Sequence, residues 1–219
     1  MRGTGASGAA AEPPRLPTRA ERAEAGRAAR ELVPLDLHAD IGGDGREPLA
    51  ILRAQDAGRV PGLVPIRWGR MSASPLAFCR GAAALMASDL ATTARTDLTV
   101  QLCGDAHLSN FGVFAAPDRR LVFDLNDFDE TMPGPFEWDV KRLSASVAVA
   151  GRTLGFSDKQ CARAAAESVH RYRTALATAS TFDPLDTWYL RIELDKLDEL
   201  GLHAERKGSA KQIAAVEAT

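Results

Sequence analysis

The chain has 219 residues, 45% of them hydrophobic and 26% charged, which suits one soluble globular domain of ordinary size. A net charge of −2 argues against a general nucleic-acid or membrane-surface binder. Three scattered cysteines, Cys79, Cys103 and Cys161, have no zinc-type spacing and read as buried thiols in a reducing compartment.

Residues 1–17 are rich in Gly, Ala and Pro and are expected to be disordered. They lack the apolar core of a signal peptide, and no apolar run reaches membrane-span length. The expectation is therefore a cytoplasmic protein with no nucleic-acid or membrane partner. Residues 18–58 read as a helical segment. Thr18 is placed to cap a helix over 19–32, and a short helix is expected over 48–57, ending near Gly58. The stretch "VPGLVPIRWGRMSASP" reads as extended and turn-rich. Ser74-Pro75 then opens a helix to about Leu90, with Phe78, Ala82, Leu85 and Met86 as its buried stripe.

"LTVQLCG", "FGVFA" and "RLVFDL" read as strands, the last two joined by the turn "APDR". After the turn-rich "DETMPGPFEWD" a long helix is predicted over 138–154. Gly155 stops it, and Ser157 caps the next over 158–179. Pro184 opens another to about Leu200, with Leu190, Leu194, Leu197 and Leu200 at helical spacing. A polar tail over 201–219 closes the chain. The fold class is α+β: a small antiparallel hairpin sheet packed on a mainly helical body, with residues 59–200 as the main domain.

The acids concentrate in "QLCGDAHLSNFGVFAAPDRRLVFDLNDFDET", residues 101–131. Asp105 and Asn110 have the spacing D-x-x-x-x-N directly after a strand. In kinase-type phosphotransferases that loop supplies an Asp that takes or orients the proton of the attacking hydroxyl, and an Asn that binds magnesium. A hairpin then leads to a second, metal-bridging Asp, here Asp124. The order would put all three groups at one end of one sheet. The bland alternative is that Asp105 and Asn110 only cap their loop. Asp124 stands in an apolar strand, where an unpaired acid is costly. Asp127 is a further candidate ligand, and Asp129 and Glu130 are either outer acids or a solvated loop. His107 either positions the loop or meets substrate. Arg70 and Arg80 either hold phosphate or pair with the acidic loop, with pairing favoured. Asp139 suits a helix N-terminus, and Lys141 is placed to pair with a site carboxylate.

"CGDAHLSN" and "VFDLND" resemble the "HGDxxxxN … ID[WF]" pattern of small-molecule kinases related to aminoglycoside phosphotransferases and choline kinases, with Cys103 where the usual His stands. "LVPIRWGRMSASPLAFCRGAAALMASDLA" and "VQLCGDAHLSNFGVFAAPDRRLVFDLNDFDETMPGPFEWDVKRLSASVAVAGR" more closely resemble the bacterial domain-of-unknown-function family twenty-two fifty-two, over about residues 60–175. These resemblances imply a body like the C-terminal lobe of a kinase. Asp105 and His107 would be catalytic, Asn110, Asp124 and Asp127 would hold Mg2+, and Arg80 and Lys141 would serve bound ATP. The acceptor would be an unknown small molecule or protein.

No lysine precedes Lys141. An ordinary kinase keeps its phosphate-binding lysine upstream of the catalytic loop, so either an arginine substitutes, the gripping lobe lies downstream, or the chain is not a working kinase. Members of the family are usually about twice this length, so the resemblance also implies a C-terminally truncated member, with a separately encoded second half as a possible partner. The competing functions are a non-catalytic binding or regulatory module and a metal-dependent phosphoester hydrolase.

Overall fold

A computed structural model describes residues 15 and 17–193. The expected disorder at the N-terminus, the helical leucines beyond Leu190 and the polar tail fall wholly or mainly outside these residues.

Helix α1, Arg19–Leu32, starts at Thr18 through a capping box with Glu21, as its sequence predicts, and buries no residue. Helix α2, Pro48–Asp56, buries Leu52. The turn-rich stretch that follows is instead helical over α3, Val64–Met71. Pro65 stands in its first turn, where a missing N–H costs nothing, so a residue that reads as a breaker is a helix start. Arg67 and Trp68 then tie α3 back to Asp56, with the indole N–H donating to its Oδ2 at 2.7 Å.

The single helix expected over 75–90 is two: α4, Pro75–Gly81, capped by Ser74, and α5, Ala83–Ala91. The break has side-chain support. Arg67 donates to the Gly81 carbonyl at 2.8 Å and Arg142 to the Cys79 carbonyl at 2.7 Å, satisfying groups that a continuous helix would bond internally. Ala82 and Leu85 are buried, but Phe78 is 40% exposed.

Strand β1, Thr99–Leu102, does not join the hairpin of β2, Phe111–Ala115, and β3, Leu121–Leu125. It pairs antiparallel with β4, Met132–Pro135, in the register Leu102↔Met132. The expected single sheet is therefore two. β4 was hidden because "MPGP" reads as a turn. Its prolines cannot donate ladder bonds, which suits a strand paired on one side only.

Helices α6, Glu137–Thr153, and α7, Asp158–Ala179, form an antiparallel hairpin. Small side chains let them approach: Ser144 meets Ser168 at 3.4 Å, and Cys161 packs against Gly151. Ser157 starts α7 with a second capping box. Helix α8, Pro184–Trp188, is shorter than predicted. The chain instead forms β5, Ile192–Glu193, on the free edge of β3, where Arg120 donates to Glu193 at 2.7 Å. The described architecture is α+β and mainly helical, and no described helix is long and apolar enough to cross a membrane.

Candidate active site

The loop after β1 turns at Gly104, whose φ of +85° places it in the left-handed region. A side chain there would collide with the Glu130 carbonyl, so the two acidic segments touch through backbone. Asp139, in the first turn of α6, accepts from the N–H groups of Cys103 at 2.7 Å and Gly104 at 3.1 Å. Its carboxylate therefore braces the loop. One turn on, Arg142 is 3% exposed and grips Asp105 through Nε at 2.5 Å and through Nη2. Two turns on, the fully buried Ser146 accepts from Leu108 N–H at 2.8 Å. The face Asp139, Arg142, Ser146 thus holds the whole loop.

Asn110 is buried, and its Nδ2 donates to the Asp105 carbonyl at 3.1 Å and the Asp127 carbonyl at 3.2 Å. It staples the two acidic segments together. Its Oδ1 makes no hydrogen bond among the described residues. Cys103 lies beneath, 3% exposed, with its thiol donating to the Asp127 carbonyl at 3.3 Å; burial pushes that thiol's pKa up. His107 is 6% exposed, with Nε2 3.6 Å from Asp105 Oδ2 and a buried Nδ1 that has no partner among the described residues. Burial lowers its pKa, with Arg142 and Arg80 acting the same way and Asp105 opposing them.

Asp105, His107, Asp127, Asp129 and Glu130 line one cavity of about 660 Å3. Arg59, Arg67, Arg70 and Arg80, from residues 59–80, line it too. Among the described residues Arg59, Arg70 and Arg80 form no ion pair or side-chain hydrogen bond, so the favoured pairing of Arg70 and Arg80 with the acidic loop does not occur. Two predicted residues stand elsewhere. Asp124 is exposed near the end of β3, with Oδ1 accepting from Leu125 N–H at 2.8 Å, so the burial cost expected in that apolar strand is not incurred. Lys141 lines a different cavity and donates to Thr93 Oγ1 at 3.2 Å.

Sequence reasoning missed Arg59, Arg67 and Ser146, and gave Asp139 and Arg142 no part in the loop. The signal for the last three was polar residues at i, i+3 and i+7 on the helix that follows the loop. Nothing in the sequence singles out Arg59 or Arg67 from the chain's many arginines.

The Asp127 carboxylate lines the charged cavity, and Asn110, joined to the Asp127 backbone, has an Oδ1 without a hydrogen bond among the described residues; these are hard oxygen donors of the kind magnesium takes. Among the described residues no three His, Cys, Asp or Glu side chains converge on one point. Magnesium needs few protein ligands, since it keeps water and takes phosphate oxygens.

The family model described as "Uncharacterized protein conserved in bacteria (DUF2252)" matches residues 59–219. No curated protein and no solved structure matches the chain.

Proposed function

We propose a function on one premise: the chain belongs to the bacterial DUF2252 family, whose model spans well over half of it. The function is kinase-like phosphotransfer, dependent on magnesium, from ATP to a hydroxyl of a small molecule or protein. The observation that carries it is the cavity in which Asp105 and Asp127 share a wall-lined space with the unpaired Arg59, Arg70 and Arg80.

Phosphoryl transfer needs little covalent help from a protein. It needs positioning and neutralised charge. The three arginines offer fixed cations for phosphate oxygens, in fork geometry. They answer the absence of any upstream lysine. Asn110 and Asp127 would hold the magnesium, which supplies charge neutralisation to the phosphates when bound. Asp105 keeps Oδ1 on Arg142, leaving Oδ2 to orient the acceptor hydroxyl and take its proton as the phosphoryl group leaves ADP. Since Arg142 also fixes the rotamer, Asp105 is pre-aligned rather than mobile. His107, kept neutral by burial, stands 3.6 Å from Oδ2, beyond hydrogen-bond reach of it, and lines the same cavity.

The test is slow ATP turnover, with water as acceptor, in the presence of magnesium. Asp105→Asn should reduce ADP release by about 100-fold or more, and Arg80→Ala should mainly raise KM. Turnover unchanged in Asp105→Asn would contradict the proposal. Metal-stimulated hydrolysis of a simple phosphoester, with no response to ATP, would instead support the hydrolase.

A further inference from the structure

A second cavity, of about 720 Å3, lies where α4, α5 and α6 meet the segment Leu35–Ile41. Phe78, Leu85, Met86, Phe136, Val140 and Val169 contribute its apolar lining. Its size is within the range of small-molecule pockets. Its charged lining residues include Arg46 and Asp89, which pair with each other, Asp40, and Glu137 and Lys141, which lie one turn apart on α6.

Glu137 is 6% exposed. Its Oε1 accepts from Thr96 N–H at 2.8 Å, but Oε2 is buried with no partner among the described residues. An unsatisfied buried carboxylate oxygen is costly, so it marks a place where a donor belongs. Lys141 lines the same cavity and uses one donor on Thr93. An ammonium has three donors, so it has others to give. Burial lowers the Lys141 pKa, while Glu137 and Asp40 oppose that shift. His38 also lines this cavity, and its Nδ1 is buried without a partner among the described residues.

We propose that this cavity binds a neutral amphipathic small molecule, an apolar body carrying a hydroxyl head. The hydroxyl donates to Glu137 Oε2 and accepts from Lys141 Nζ. A carboxylate head would meet Glu137, and an ammonium head would meet Lys141, so each charged head satisfies one group and repels the other. The apolar body fills the space between Phe78, Met86 and Val140. Glu137, Lys141 and Val140 have no part in the phosphotransfer proposed above; Arg142, which holds Asp105, is shared as a lining residue.

Calorimetric titration of the full chain with 1-octanol, octylamine and octanoate tests it. The expected result is saturable, one-to-one binding of octanol, about tenfold tighter than either charged analogue, as one charge-assisted head-group bond would give. Glu137→Gln and Lys141→Met should each remove that preference, and Val140→Trp should abolish binding by filling the cavity. Thermal unfolding of each variant checks that it is folded. Absence of octanol binding to the unmodified chain would overturn the proposal. So would equal affinity for all three heads, or binding that survives in a folded Val140→Trp protein.

Discussion

Asp105 commits one carboxylate oxygen to a buried guanidinium and leaves the other toward the cavity. Arg142 is almost wholly buried, so removing it leaves Asp105 without its guanidinium and the Cys79 carbonyl with only the Ala82 N–H. Arg142→Met should destabilise the fold by about 3–5 kcal/mol, measured by urea unfolding. Arg142→Lys should recover only part, because a single ammonium cannot reproduce the fork. The double variant Asp105→Asn/Arg142→Met should be less destabilised than the sum of its parts, since the stranded charge is gone.

His107 gives a pH dependence with a defined sign. Its folded pKa lies below its ordinary value because of burial, reinforced by Arg142 and Arg80 and opposed by Asp105. Between the folded pKa and about 6.5 the unfolded chain binds the proton and the folded chain does not. Stability should therefore fall as pH drops below about 6.5 and level off below the folded pKa. His107→Asn should flatten that part of the profile. An unchanged slope between pH 7 and pH 5 would show that His107 is not the group responsible.

At the scale of elements, α1 and α7 begin with the same device and should respond differently to its loss. Both use a capping box, Thr18 with Glu21 and Ser157 with Gln160. A capping residue is worth about 1 kcal/mol. α1 buries nothing, so Thr18→Ala should speed hydrogen exchange in α1 and leave the global unfolding midpoint unchanged. α7 packs along α6, so Ser157→Ala should lower the global stability by about 1 kcal/mol. Equal global effects would mean that α1 is docked after all.

The same elements show what a sequence reveals. Caps are local chemistry, so Thr18 and Ser157 were readable, and so was the β2–β3 hairpin around its turn. Tertiary choices were not. Pro65 reads as a breaker until its position in the first turn of α3 is known. The break at Ala82 depends on Arg67 and Arg142, which are distant in sequence. β4 is a strand only because β1 is there to pair with it. At the site, Asp105, His107, Asn110 and Asp127 were legible as a cluster and lie around one loop. Asp124 and Lys141 were also read as site residues, yet Asp124 is exposed near the end of β3 with its carboxylate on the Leu125 N–H, and Lys141 lines another cavity.

At the scale of the whole molecule, α6 lines one cavity directly and reaches the other only through the grip of Arg142 on Asp105. The first is largely apolar with a Glu–Lys pair, and the second is charged, where arginines from residues 59–80 meet acids from residues 105–130. Arg142 lines the apolar one while holding Asp105 at the charged one. Gly104 is the point where the two acidic segments come closest, and any side chain there would push them apart. Gly104→Ala should therefore cost about 2 kcal/mol or more, from the left-handed strain and the clash with backbone. It should also weaken whatever the charged cavity binds, because Asp105 and Asp127 would separate.

The most direct measurement is thermal unfolding of the full chain with magnesium and ATP, with magnesium alone, and with neither, beside Asp127→Asn. Nucleotide at about a hundred times its dissociation constant should add about 2.7 kcal/mol of stability. If the charged cavity holds magnesium-bound phosphates, the unfolding temperature rises with magnesium and ATP together, and the rise disappears in Asp127→Asn. A folded chain that shows no shift with the pair, or the same shift in Asp127→Asn, would contradict it.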